Sequence, residues 1–297
     1  MNMKTSGSKR SDLSGSMKTQ RIVSKDAAWQ KFEVLKSNRN KRYRYRQFFV
    51  EGVRNLNEAI RNGWTIDSFI FSFESHLSDW ARNLLETVPT QVNYALSGAL
   101  MTQLSGKSDA SELCALIRMR DEAAWAAAPL LPDHAMLAVL FDRPSNKGNL
   151  GTLIRSCDAL GVDRLLLTGH GVDRYDPEVV AASMGSLFRL PIIYLADNGS
   201  LLSWIAAHRQ AYPALQIVGT TAHRERQIDQ VDLSVPTVLV IGNEADGMSR
   251  WLREQCTMLA TIPMNPSGAA TSLNVSCAAT VLLYEVWRQR NNQRENR

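Results

Sequence analysis

Residues 135–168 read AMLAVLFDRPSNKGNLGTLIRSCDALGVDRLLLT, and they decide the fold. An apolar run (136–141) ends in a polar loop, an amphipathic stretch follows over 151–160, and a second apolar run occupies 163–167. Short apolar runs on either side of a helical pattern describe a strand–helix–strand unit whose strands are buried on both faces. The alternation continues towards the C-terminus. Strands are predicted at 190–195, 216–220, 237–241 and 258–262, and helices at 177–184, 200–210, 250–256 and 272–290. The C-terminal half is therefore read as an α/β unit, a mainly parallel sheet with helices on both faces. Ligands of such sheets bind beyond the carboxyl ends of the strands. The loops to search are those after Phe141, Thr220, Ile241 and Ile262.

Upstream the pattern is that of a second, smaller α/β domain. FFVEGVRNLNEAIRNG (48–63) reads as a strand turning into an amphipathic helix, and IDSFIFS (66–72) as a strand. A helix over 78–87, a strand at QVNYAL (91–96), a short helix over 99–104 and a strand at 113–119 follow. AWAAAPLLPDH (124–134), rich in Ala and Pro, has the composition of a linker. The expected division is a basic flexible tail (1–24), a recognition domain (25–123), the linker and a larger domain (135–297).

The 297 residues include 34 Lys+Arg and 29 Asp+Glu, a net charge of +5, with 44% hydrophobic residues. That composition belongs to a globular protein and excludes wholesale disorder. The charge is unevenly placed: residues 1–46 hold 13 Lys+Arg and 3 Asp+Glu, which leaves 21 and 26 for the rest. A basic leader on a slightly acidic body suits contact with nucleic acid; a tail kept soluble by charge has the same composition. Within it, NRNKRYRYRQ (38–47) mixes basic and aromatic side chains, which fits phosphate contact and base stacking and equally a solvated linker or helix surface.

No run approaches the ~18 apolar residues of a membrane-spanning helix, and the first 21 residues lack the apolar core of a secretion signal. Cys114, Cys157, Cys256 and Cys277 form no CxxC pair and no zinc spacing. They read as reduced cysteines of a cytoplasmic protein, and no metal site is expected.

Two glycine motifs are weak. Gly106-Lys107-Ser108 lacks the earlier glycine of a phosphate-binding P-loop, because Met101 stands there. Gly169-His170-Gly171 has Arg174 where a dinucleotide fingerprint needs its third glycine. Three other segments sit on the loops that matter. In 143–161, Asn149 and Gly151 lie at a strand-to-helix junction with Arg155 about a turn inside, a pattern that fits an anion site or a capped helix with a surface arginine. In VPTVLVIGNEADGMS (235–249), a strand runs into Gly242-Asn243-Glu244 and Gly247, where glycine lets a ligand approach the backbone. In 262–290, a loop of small residues gives way to Ser272-Leu273-Asn274 at the start of a long helix, with Thr271 or Ser272 as the predicted N-cap. Ala278, Leu282, Leu283, Val286 and Trp287 form its apolar stripe, read as core or dimer contact.

Taken together, N-x-G-x-x-x-R, then a strand ending in G-N-E-x-x-G, then I-P-M…S-L-N-V-S resembles the SpoU family of RNA ribose 2′-O-methyltransferases, of the SPOUT class. ASMGSLFRLPI (182–192) is similar to the same family, and the likeness covers about residues 135–290. FVEGVRNLNEAIRNG resembles the opening of the ribosomal-protein-like substrate-binding domain that many members carry. The resemblance implies a deep trefoil knot in the C-terminal domain, a homodimer, and S-adenosylmethionine bound by the last two motif loops. It implies Gly242, Ile262 and Leu273 in the cofactor pocket, helped by Thr220, Asn243, Gly247, Met264 and Asn274. It implies a reaction centre of Asn149, Arg155, Glu244, Ser272 and Asn274. The loop NPSGAAT (265–271) is about two residues longer than in many members.

The implied reaction is methylation of a ribose 2′-hydroxyl in structured RNA. The extra N-terminal domain favours ribosomal over transfer RNA. A free guanidinium, with its pKa above ~12, is a poor base, so Arg155 is read as a phosphate clamp that orients the hydroxyl. The rival readings are a non-catalytic RNA-binding or ribosome-assembly factor of the same fold and a base-methylating relative.

Overall fold

In the computed structural model, which describes residues 18–106, 111–121, 135–223 and 225–295, the apolar runs of the C-terminal half become one parallel sheet. Its elements are β6 (Leu137–Asp142), α6 (Lys147–Ala159), β7 (Arg164–Thr168), α7 (Pro177–Ser183), β8 (Ile192–Leu195), α8 (Asn198–Ala211), β9 (Gln216–Thr220), β10 (Arg226–Gln227), β11 (Thr237–Ile241), α9 (Arg250–Gln255), β12 (Met258–Thr261) and α10 (Val275–Glu295). The strand order is β10-β12-β9-β11-β6-β7-β8, and every pairing is parallel.

Side chains alternate across a strand, and β6 shows the consequence. Leu137, Val139 and Phe141 join a core with Leu150 and Leu153 of α6 and Leu282 and Val286 of α10. Ala138 and Leu140 point the other way, to Leu201 and Ile205 of α8 and Leu252 of α9. Both faces are covered, so the run can be apolar throughout.

The N-terminal half contains β1 (Thr19–Ile22), α1 (Ala27–Ser37), α2 (Arg39–Tyr45), β2 (Gln47–Glu51), α3 (Val53–Arg61), β3 (Ile66–Ser72), α4 (Asp79–Thr87), β4 (Asn93–Leu96), α5 (Gly98–Ser105) and β5 (Leu113–Arg118). Its five strands form a mixed sheet in the order β1-β4-β3-β5-β2, with β5 antiparallel to both neighbours.

One expectation is corrected and two open readings are narrowed. The tail predicted over 1–24 ends earlier, because Thr19–Ile22 pairs in parallel with β4 and buries Ile22. Most of the basic-aromatic segment 38–47 folds as α2, a helix with Arg42 enclosed and Asn40, Arg44 and Tyr45 exposed. In the stripe of α10, Leu282, Leu283 and Val286 are core, whereas Trp287 faces outward. The expected linker (124–134) and residues 107–108 of the glycine motif lie outside the described residues.

One core spans both halves. Phe48 and Trp64 from the first meet Tyr175 and Phe188 from the second at ring separations of 4.6–6.2 Å.

Candidate active site

The loops after β6, β9, β11 and β12 converge on a cavity of about 640 Å³, a size typical of small-molecule and cofactor sites. Thr220, Gly242, Asn243, Gly247, Ile262, Met264 and Leu273, the residues expected at a cofactor, all line it. So do Asn149, Glu244, Ser272 and Asn274. Arg155 does not. It is exposed on α6 and makes no hydrogen bond or ion pair among the described residues.

Each wall follows from its local sequence. At the end of β11 a Cβ on Gly242 would lie 2.4 Å from the Met248 amide nitrogen, so only glycine lets the chain fold back so tightly. Gly247 closes the turn with φ +67°, exchanging backbone hydrogen bonds with Asn243 at 2.9 and 3.0 Å. The Asn243 carboxamide is spent inside this loop: Oδ1 accepts from the amides of Ala245 and Asp246, and Nδ2 donates to the Arg143 carbonyl at 2.6 Å. The Thr220 hydroxyl likewise donates to the Val240 carbonyl. These two side chains shape the cavity, and the faces they leave to a ligand are backbone and carbon.

Polar groups gather at the rim. Glu244 Oε2 accepts from the Ser145 amide (2.9 Å) and hydroxyl (2.6 Å), while Oε1 accepts from the Asn146 amide (3.1 Å) and Asn149 Nδ2 (3.3 Å). Burial pushes this carboxyl up, but the hydrogen bonds from Ser145 and Asn146 outweigh it and hold Glu244 below its ordinary value. Asn274 Nδ2 donates to Asn149 Oδ1 at 3.0 Å. The result is a continuous chain from Glu244 through Asn149 to Asn274, linking three loops.

Asn274 is also the true cap of α10: its Oδ1 accepts from the Ser276 amide (3.0 Å) and hydroxyl (2.7 Å). The predicted cap at Thr271 or Ser272 is therefore corrected, and the helix opens at Val275. Of the loop 265–271, only Thr271 lines the cavity.

Sequence reasoning missed Asp142, Arg143 and Ser145. Asp142, 4% exposed, accepts from the Thr168 hydroxyl and the Ser249 amide, both at 2.9 Å. Arg143 adopts a left-handed φ of 49° and donates to the Gly247 carbonyl at 3.3 Å. Together they tie the end of β6 to the β11 loop. The rule that function gathers at strand ends points to them, although nothing in their residue types does.

Among the described residues no group of three or more His, Cys, Asp or Glu could hold a metal ion, and no helix is long and apolar enough to cross a membrane.

Comparison with known proteins identifies the family. Residues 136–284 match the SpoU rRNA methylase family and residues 26–115 the SpoU L30e-like domain. A 23S rRNA (uridine(2479)-2′-O)-methyltransferase of Streptomyces viridochromogenes is 41% identical over 271 residues, 91% of this chain and 92% of the relative. The crystal structure of the SpoU methyltransferase AviRb from the same organism, in complex with AdoMet, superposes with a TM-score of 0.83 at 40% identity, covering 90% of this chain and 98% of that one. A solved RNA 2′-O ribose methyltransferase gives a TM-score of 0.75 at 30% identity, covering 92% and 100%. The chain belongs to the SpoU rRNA methylase family.

Proposed function

We infer that this chain is an S-adenosylmethionine-dependent methyltransferase acting on a ribose 2′-hydroxyl of ribosomal RNA. The observation that carries the reading is the Glu244–Asn149–Asn274 chain at the mouth of a cavity lined by both polar and apolar groups. The S. viridochromogenes relative, named as a 23S rRNA 2′-O-methyltransferase, supports the substrate class.

The cavity suits the cofactor. Ile262, Met264, Leu273 and Leu282 offer an apolar surface for a base, and the Gly242–Gly247 turn presents bare backbone. Glu244 adds a carboxylate with no cation paired to it among the described residues, which favours a positively charged ligand. When bound, S-adenosylmethionine supplies an electrophilic methyl group.

The chain's own task is then alignment. Glu244 orients the Asn149 carboxamide from one side and Asn274 from the other, so Asn149 presents a fixed donor and acceptor to the ribose. Ser272 lies beside them on the cavity wall. Arg155 binds the RNA phosphate next to the reacting ribose with its planar donor fork and holds the hydroxyl in place while its proton passes to solvent.

Arg155 stands outside the cavity of a single chain, on a helix that contacts α10 through Ser156 and Thr280 (2.7 Å). The outer face of α10 carries Val281, Tyr284 and Trp287, exposed by 42–52%, with the two rings stacked at 5.8 Å. This apolar stripe supports a homodimer built on α10. The expected trefoil knot in this domain belongs to the same reading. A recognition domain over 25–123, a catalytic domain over 135–297 and a cytoplasmic location complete the proposal.

Ribose-methylation mapping of total RNA with and without the gene tests the reading, with loss of one rRNA 2′-O-methyl expected. Calorimetry should detect S-adenosylmethionine; RNA binding without it would identify a non-catalytic factor instead. Arg155→Ala should keep cofactor binding and lose turnover by about 100-fold or more, and near-normal turnover would remove Arg155 from the mechanism.

A further inference from the structure

Arg42 is 2% exposed, and its guanidinium crosses from one half of the molecule to the other. Nε donates to Asp173 Oδ2 at 2.7 Å, and the Asp176 carboxylate lies 3.5 Å from a terminal nitrogen. The other terminal nitrogen donates back into its own domain, to the Leu35 and Lys36 carbonyls at 3.0 Å each. Asp173 is shared further: the Tyr43 hydroxyl donates to Oδ1 at 3.3 Å and the Tyr175 amide at 3.1 Å. Burial, and then the Asp173 charge, push the Tyr43 phenol up, so it remains a donor.

Asp176 carries the linkage onward. It caps α7 by accepting from the Glu178 amide at 3.1 Å, and it lies 3.4 Å from Lys147 Nζ. Lys147 is the first residue of α6, two positions before Asn149, and it also pairs with Glu178 at 2.8 Å. Around this cluster, Arg39 donates to the Gly171 carbonyl and Trp64 Nε1 to the Phe188 carbonyl, at 2.9 and 2.8 Å.

Exposed ion pairs restrain little. A fully enclosed arginine facing two carboxylates is different, because parting the domains would leave uncompensated charge in an apolar seam. The shared aromatic core of Phe48, Trp64, Tyr175 and Phe188 would be torn by the same motion.

We propose that Arg42, Asp173 and Asp176 form an interdomain lock that fixes the recognition domain against α6, so that the two domains select the methylated ribose as a ruler of constant length. All three are positioning residues, remote from the reacting atoms. The ruler rests on the ribose-methylation reading; the lock does not.

Two arms test them separately. Nitroxide labels at Arg61→Cys and Arg250→Cys, both exposed in the native chain, are introduced with Cys256 and Cys277 replaced by serine. The labelled chain is diluted with unlabelled chain, and the spin–spin distance is measured without RNA. A single narrow distribution, unchanged on adding ribosomal RNA, is expected; a broad or two-peaked one overturns the lock. In the second arm Asp173→Asn and Asp176→Asn, which preserve shape, should broaden that distribution. They should raise KM for RNA at least about tenfold and spread methylation to neighbouring riboses, while S-adenosylmethionine affinity stays within about twofold. Unchanged KM and an unchanged methylation site in both variants overturn the ruler. A narrow native distance with no ribose methylation by the native enzyme refutes the proposed function and leaves the lock standing.

Discussion

Asp173 at the domain seam and Glu244 at the cavity mouth are both held by several hydrogen bonds, but in opposite ways. Asp173 is buried and faces a guanidinium, so its charge is cancelled locally. Glu244 is half-buried and held by two amides, a hydroxyl and a carboxamide, all neutral. Neutral donors stabilise the ionised form without removing its charge, and that charge stays available to a ligand. The seam uses its carboxylates for rigidity, and the site uses its carboxylate for electrostatics.

The contrast can be broken first at the seam. Arg42→Met strands the buried Asp173 carboxylate, while Asp176 keeps Lys147, and should cost about 3–5 kcal/mol of stability. Urea unfolding checks this, and a shift below about 1 kcal/mol would place the pair among weak surface ion pairs. At the cavity, Gly242→Ala forces a Cβ to within 2.4 Å of the Met248 nitrogen and 2.5 Å of the Gly247 carbonyl carbon. Cofactor affinity should fall about 100-fold by calorimetry, and native affinity would show that the turn yields without harm. The smallest effect belongs to Glu244→Gln, which keeps the shape and removes the charge: turnover should drop about tenfold, with a small but measurable loss of stability near neutral pH.

The pH dependence sharpens the same contrast. The Glu244 carboxyl sits below its ordinary value when folded, so its stabilising contribution is complete above the unfolded value and is lost as pH falls through the folded one. Urea midpoints of the native protein and of Glu244→Gln should therefore converge on acidification. Curves that stay parallel down to pH ~3 would mean that Glu244 is not held as an ionised group.

Much of the fold was legible because the strands are buried on both faces, as β6 and β11 are, and such runs declare themselves without tertiary context. The cavity loops were legible because strand ends, glycines and the order of three motifs coincide. What escaped depends on distant partners. Thr19–Ile22 looks like tail until β4, some 70 residues on, offers it an edge. Arg42 reads as one basic residue among several, and its partners Asp173 and Asp176 are over 130 residues away. Thr271, Ser272 and Asn274 can each cap a helix by residue type; Asn274 does so here while also reaching Asn149. Arg155 is expected in the reaction centre from its motif, but its position on α6 leaves it outside the cavity of its own chain.

The central claim, methylation of a ribose oxygen in ribosomal RNA, is tested most directly on the purified protein. Ribosomal RNA is incubated with S-adenosylmethionine carrying a labelled methyl group, and the product is digested with alkali. Label retained in an alkali-resistant dinucleotide is the predicted result, because a 2′-O-methyl blocks cleavage at the adjacent phosphodiester. Label released in mononucleotides, or none incorporated, would contradict the account.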